Sequence, residues 1–216
     1  MTAVTDDNAD SADSRAEEAA RGELYGTLSA LFYAAPEPTL LDALRSLTLP
    51  PGDCAGGELA AAWQELADFS RAMQAVEIAA EYDTLFGGVG KPEVYLFGSH
   101  YLAGFLNEKP LAHLREDLMH LGIARLEQVS ETEDHFSCLC AVMHHLIGEV
   151  AGSADGLQRQ RLIFERHIAS WSDPMCNAIA EHPKARFYKA AARLARAFTT
   201  IERQAFEMLE AEGGRA

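Results

Sequence analysis

No stretch of the 216 residues approaches the roughly 20 consecutive apolar residues that a membrane-spanning helix needs, so membrane insertion is not expected. The first residues, Met1 to Ala20, have neither a basic start nor an apolar stretch. No secretory signal is read there, and the expected location is cytoplasmic. Positive charge is scarce: 18 Lys and Arg against 33 Asp and Glu leave a net charge of −15. That balance repels nucleic acid and anionic lipid. It favours cationic partners, or simply keeps the chain in solution. Cysteine is limited to Cys54, Cys138, Cys140 and Cys176, with no C-x-x-C to build a zinc site. Cys138 and Cys140 lie two apart in an apparent helix and point about 200° away from each other, so they read as buried thiols.

Signatures of catalysis are missing as well. There is no G-x-x-x-x-G-K-[ST], no G-x-G-x-x-G, no H-E-x-x-H and no Glu-x-x-His of the di-iron kind. Gly87-Gly88-Val89-Gly90-Lys91-Pro92 resembles a phosphate loop only superficially. It follows a helical pattern, and a proline stands where Ser or Thr would hold magnesium. Glu116 and His120, Glu131 and His135, and His145 and Glu149 are each four apart, a spacing suited to surface pairs or caps. No cofactor, no metal site and no enzymatic activity are expected.

What is present is helical. Hydrophobic residues make up 48% of the chain, enough for a sizeable core. Residues 1–14 read as a disordered acidic tail, and 15–212 as one helical domain. Apolar residues recur at helical spacing in Leu24–Phe32. A long pattern runs from Glu58 to Phe86, and others occupy Leu111–Leu121, Glu133–Val150 and Leu157–Trp171. Pro174 and Pro183 bracket a short helix. In the last pattern Phe187, Ala191, Leu194, Phe198, Ile201, Ala205 and Leu209 form one stripe. Opposite it lie Arg186, Lys189, Arg193 and Arg196, a solvated face or an anion site. No useful strand alternation occurs. The fold class read from this pattern is all-α, a single-domain compact helical bundle.

Two stretches carry a family resemblance. One is Tyr82-Asp83-Thr84-Leu85-Phe86-Gly87-Gly88, followed by Gly98-Ser99-His100-Tyr101. The other is Glu131-Thr132-Glu133-Asp134-His135 at a helix start. In this order, together with Arg166-His167-Ile168-x-x-Trp171 and Phe187-Tyr188, they resemble the TorD/DmsD family of molybdoenzyme-maturation chaperones. The likeness extends from about Tyr25 to Phe206. Thr132 stands where the family has proline, and Leu96-Phe97 replace its Pro-Trp/Tyr.

The resemblance implies a cytoplasmic chaperone. It implies binding to the twin-arginine leader, or the N-terminal region, of a molybdenum-containing oxidoreductase's catalytic subunit, and help with cofactor insertion before export. On this reading Asp134 and Glu131 offer carboxylates to guanidiniums. His135 changes charge near neutral pH. Tyr82, Leu85 and Phe86 form an apolar wall, and Ser99 and Tyr101 add hydrogen-bonding groups. A structural alternative stays open: Thr132, Glu133 and Asp134 cap a helix, and Tyr82, Leu85 and Phe86 belong to the core. At the level of function, a nucleotide- or metal-dependent hydrolase on a helical scaffold and a generic helical adaptor remain. Both monomer and homodimer are open.

Overall fold

The computed structural model describes residues 6–48, 57–87, 91–106, 108–149 and 154–213, with backbone only for 6–14, 154 and 212–213. Among these residues are ten helices and no strand: α1 (Asp6–Tyr33), α2 (Pro38–Ser46), α3 (Gly57–Ala72), α4 (Ala75–Leu85), α5 (Gly98–Ala103), α6 (Lys109–His120), α7 (Phe136–Glu149), α8 (Ala154–His167), α9 (Ser172–Glu181) and α10 (Phe187–Gly213). Pro50-Pro51, Cys54, Gly88-Val89-Gly90 and residues 150–153 lie outside the described residues. Helix α1 begins at Asp6, within the stretch read as a tail. Acidic residues suit that end, because they face the positive pole of the helix dipole.

The amphipathic pattern of α10 decides the architecture. Phe187, Ala191, Leu194 and Phe198 are buried, and α10 packs along α3 and α9. Its stripe does not continue as the spacing predicts. Ile201 and Leu209 are exposed, while Glu202 and Phe206 turn inward. The buried Glu202 carboxylate is compensated in full: Arg21 of α1 forks onto it through Nε at 2.7 Å and Nη2 at 2.8 Å, and the Tyr25 hydroxyl donates at 2.9 Å. Such satisfaction is the condition for burying a charge. It lets α1 lie against the C-terminal half of α10.

Helices α1 and α7 form the most extensive pairing. Gly22 and Gly26 permit it. A Cβ at Gly22 would lie 3.3 Å from Ile147, and one at Gly26 3.4 Å from the His144 ring. His144 Nδ1 donates to the Gly22 carbonyl at 2.7 Å, whereas His145 pairs with Glu149 at 3.4 Å.

The long pattern from Glu58 to Phe86 is two helices. The chain breaks at Met73-Gln74, where Glu77 accepts the Gln74 amide at 2.8 Å and restarts the helix. Arg45 of α2 fills the break by donating to the carbonyls of Ser70 and Met73. Helix α6 ends at Gly122, whose φ of +73° is the left-handed conformation of a helix C-terminus. Cys140 and Cys176 are buried and Cys138 is half-buried, all as free thiols. Burial pushes Cys138 to about 11 and Cys176 to about 12, so both stay neutral. The basic face of α10 is partly engaged: Arg193 pairs with Glu65, and Arg196 donates to Asn177.

Candidate functional site

Three segments far apart in sequence are stitched together by backbone hydrogen bonds. Leu85, at the end of α4, accepts the Val94 amide at 2.9 Å. Leu96 accepts the Phe136 amide at 2.8 Å, and the Asp134 carbonyl accepts the Gly98 amide at 2.9 Å. Phe97 and His135 thereby form an isolated antiparallel bridge. All eight residues singled out in the sequence therefore fall in one neighbourhood, but they do not share one environment.

Asp134, His135 and Ser99 are interior. Asp134 is 3% exposed, and its carboxylate is used twice: Oδ2 accepts the Ser99 amide at 2.9 Å, and Oδ1 accepts the Thr132 hydroxyl at 2.6 Å. It is a cap, though for α5 rather than for the helix that follows it in sequence. Thr132 serves as the second brace of the turn in the place where the family has proline. His135 is 4% exposed and packs edge-on against Phe97 at 4.9 Å. Its Nδ1 faces the Ser137 amide at 3.2 Å and the Ser137 hydroxyl at 2.7 Å, so it accepts and the ring proton sits on Nε2. Burial lowers this ring to about 4, against a smaller opposing pull from Asp134. The expectation that His135 changes charge near neutral pH is corrected: it is neutral there. The Ser99 hydroxyl is buried with no hydrogen-bond partner among the described residues, beside Asp134, His167 and Trp171.

Tyr82, Phe86 and Tyr101 are half-buried, and Leu85 is fully buried. The aromatic rings form a continuous path. Tyr82 meets Phe86 at 5.3 Å and Tyr188 at 5.6 Å. Phe86 reaches Phe32 at 6.2 Å, Phe32 reaches Phe136 at 5.3 Å, and Phe136 reaches Trp171 at 6.0 Å. Trp171 stacks on Tyr101 at 5.7 Å. The wall read from the sequence is thus both core and surface: its inner rings are packed, and its outer rings reach solvent. Gly98 is required here, since a Cβ would sit 2.9 Å from Trp171 Nε1. The Tyr101 hydroxyl donates to the Tyr95 carbonyl at 2.8 Å, and burial raises its phenol well above the ordinary value.

On the solvent side an acid–aromatic face remains. The Tyr82 hydroxyl donates to the Tyr33 carbonyl at 2.7 Å, and the Tyr33 hydroxyl accepts the Ser130 amide at 3.4 Å. Glu131 accepts the Ser130 hydroxyl at 3.3 Å. Burial first, and then the charges of Glu131 and Asp83, push the Tyr82 phenol up to about 12. Tyr33 is 38% exposed and Asp83 is exposed. Tyr33 does not stand out in the sequence, and Asp83 is only one member of the Tyr82–Gly88 stretch, because the fold alone brings the end of α1 to the end of α4.

Two further groups escape a reading of the motifs. Glu81 is 8% exposed and accepts the amides of Arg186 at 2.8 Å, Phe187 at 3.2 Å and Tyr188 at 2.8 Å, capping α10 from α4. Asp117 of α6 accepts from His167 at 2.7 Å and from Arg166 at 3.1 Å, and the His167 carbonyl accepts from Trp171 Nε1 at 2.5 Å. Among the described residues no group of three His, Cys, Asp or Glu side chains is arranged to hold a metal ion, and no helix is long and apolar enough to cross a membrane.

The sequence model of the family described as "Nitrate reductase delta subunit" matches residues 53–177. The chain is 28% identical over 141 residues to the chaperone protein TorD of Vibrio cholerae serotype O1. That alignment takes in 62% of this chain and 64% of the relative, so it spans less than two thirds of the relative's length. The fold is also that of a redox enzyme maturation protein from Archaeoglobus fulgidus, with a TM-score of 0.52 over 85% of this chain and 93% of that one at 18% identity. A family model that matches more than half of the chain, on an all-helical fold of the same kind, establishes the assignment: this chain belongs to the TorD-like family described as nitrate reductase delta subunit.

Proposed function

We propose that the chain is a cytoplasmic, non-catalytic chaperone for the catalytic subunit of a molybdenum-containing oxidoreductase. It holds the subunit's twin-arginine leader, or its N-terminal region, while the cofactor is inserted and the enzyme assembled. The observation that carries this reading is the face made by Tyr33, Tyr82, Asp83 and Glu131. It presents two carboxylates beside half-buried rings on a protein of net charge −15. Guanidiniums pair with carboxylates and lie over aromatic faces, and the apolar run that follows them needs an oily wall such as Tyr82 and Phe86.

The interior residues have a different part in this reading. Asp134, His135 and Ser99 set the shape of the turn and do not touch the partner. Glu131, Tyr82 and Phe86 make the contacts, and Tyr101 borders them, with Leu85 anchoring the wall from within.

Titration calorimetry with a synthetic peptide, an Arg-Arg pair followed by an apolar run, tests the proposal. The double variant Glu131→Gln with Asp83→Asn should bind about tenfold more weakly, the loss of one charge-assisted hydrogen bond, with unchanged thermal unfolding. If the unaltered protein ignores both this peptide and every oxidoreductase precursor offered, the reading is wrong.

A further inference from the structure

The turn that carries Glu131 presents another carboxylate on its other side. Glu133 faces a groove of about 500 Å³ between α6 and the segment leading to α7. The groove has an apolar lining in Leu118, Met119 and Ile123, and Met119 is 68% exposed. Two of the chain's own arginines occupy Glu133. Arg115 reaches Oε2 through Nε at 3.0 Å and Nη2 at 2.9 Å, and Arg125 Nε lies 3.7 Å from Oε1. Each carboxylate oxygen therefore already has a guanidinium.

The two arginines are held differently. Arg125 is committed to the backbone, donating to the carbonyls of Val129 at 2.6 Å and Glu131 at 3.1 Å. Arg115 is 52% exposed, and among the described residues its ion-pair partner is Glu133 alone. Only the Arg115 end of this pair is open to solvent, Glu133 being 16% exposed; exchanging Arg115 for another guanidinium keeps the carboxylate paired and is nearly even.

We infer that Glu133 is a guanidinium seat, that Arg115 is its displaceable resident, and that an arginine of the partner's leader takes that place while the residues preceding the arginines lie along the groove, the apolar run that follows staying on Tyr82 and Phe86. This rests on the leader-binding reading above. The seat is complementary to such a segment: it already holds the required group in the required geometry, next to an apolar floor. Arg115 then acts as an internal competitor, so that weakly cationic or purely apolar segments do not open the seat.

Calorimetry with the Arg-Arg peptide, and with the same peptide carrying Gln-Gln, tests this. Arg115→Ala should bind the Arg-Arg peptide about threefold more tightly, because the competing pair is gone. Arg115→Lys keeps a competing charge and should stay near the unaltered protein. Glu133→Gln keeps the shape but not the charge, and should bind about tenfold more weakly. In Glu133→Gln the Arg115→Ala change should have no further effect, which a purely structural role of Arg115 would not produce. Arg115→Ala that binds no more tightly, or Glu133→Gln at full affinity, overturns the proposal. If that happens while the unaltered protein still binds and Glu131→Gln weakens it, the seat alone is wrong. If the unaltered protein does not bind, the seat and the leader-binding reading fail together.

Discussion

Glu81 and Asp134 are both buried carboxylates that cap a helix to which they do not belong, yet they hold elements of very different weight. Glu81 collects three amides at the start of the 27-residue α10, whose face lies in the core. Asp134 takes one amide with its side chain and one with its carbonyl, at the start of the six-residue α5. Beyond α5's start the chain is open to solvent: Leu102 is 45% exposed and Phe105 73%. One device thus fixes the core in the first case and sets the pose of a surface segment in the second. A buried cap matters in proportion to what its helix buries.

The largest effect expected from this contrast is at Glu81. Glu81→Ala strands three amides and should lower the unfolding free energy by about 3 kcal/mol in denaturant titration. Glu81→Gln retains an acceptor and should lose about half of that. Asp134→Ala should cost less, about 1–2 kcal/mol, and the loss should be local. Amide exchange should quicken at Gly98 and Ser99 but not at Arg186, Phe187 and Tyr188. Equal costs at Glu81 and Asp134, or exchange that quickens in α10 when Asp134 is removed, would erase the distinction.

His135 sharpens the comparison through pH. Its folded ring titrates at about 4 against an ordinary 6.5, so between those values the unfolded chain takes up a proton that the folded one refuses. The stability it contributes is whole above pH 6.5 and falls as pH drops toward 4, by at most about 3 kcal/mol. His135→Asn, which cannot titrate, should flatten stability against pH in that window relative to the unaltered protein. Parallel curves for the two proteins would mean that the ring is accessible when folded. In that case the turn would resemble the half-buried Glu131 side more than the Glu81 junction.

How much of this was legible depends on how local the cause is. The burial of Phe187, Ala191, Leu194 and Phe198 follows from their spacing, and the end of α6 follows from Gly122. The break at Met73-Gln74 was not legible, because apolar residues continue through it and the restart rests on Gln74 and Glu77, a weak signal beside Ser or Asp. Helix α5 is too short to show a period. The inward turn of Glu202 depends on Arg21, 181 residues away, and the role of Glu81 on amides more than 100 residues on. At the site, the motifs name segments that backbone bonds join into one neighbourhood. They did not separate the interior members, Asp134, His135 and Ser99, from the half-buried Glu131. A carboxylate or imidazole has the same letter whether it meets solvent or an amide 35 residues away.

The stack of Tyr101 on Trp171 has a practical consequence. The chain has two tryptophans, and Trp171 is the one enclosed, 1% exposed at the inner end of the path of rings that begins at Tyr82. With Trp63 changed to Phe, the remaining indole becomes an optical gauge lodged inside the protein. Its emission depends on a neighbour whose far edge borders solvent, so arrivals at the surface can be followed by colour and intensity without attaching a dye.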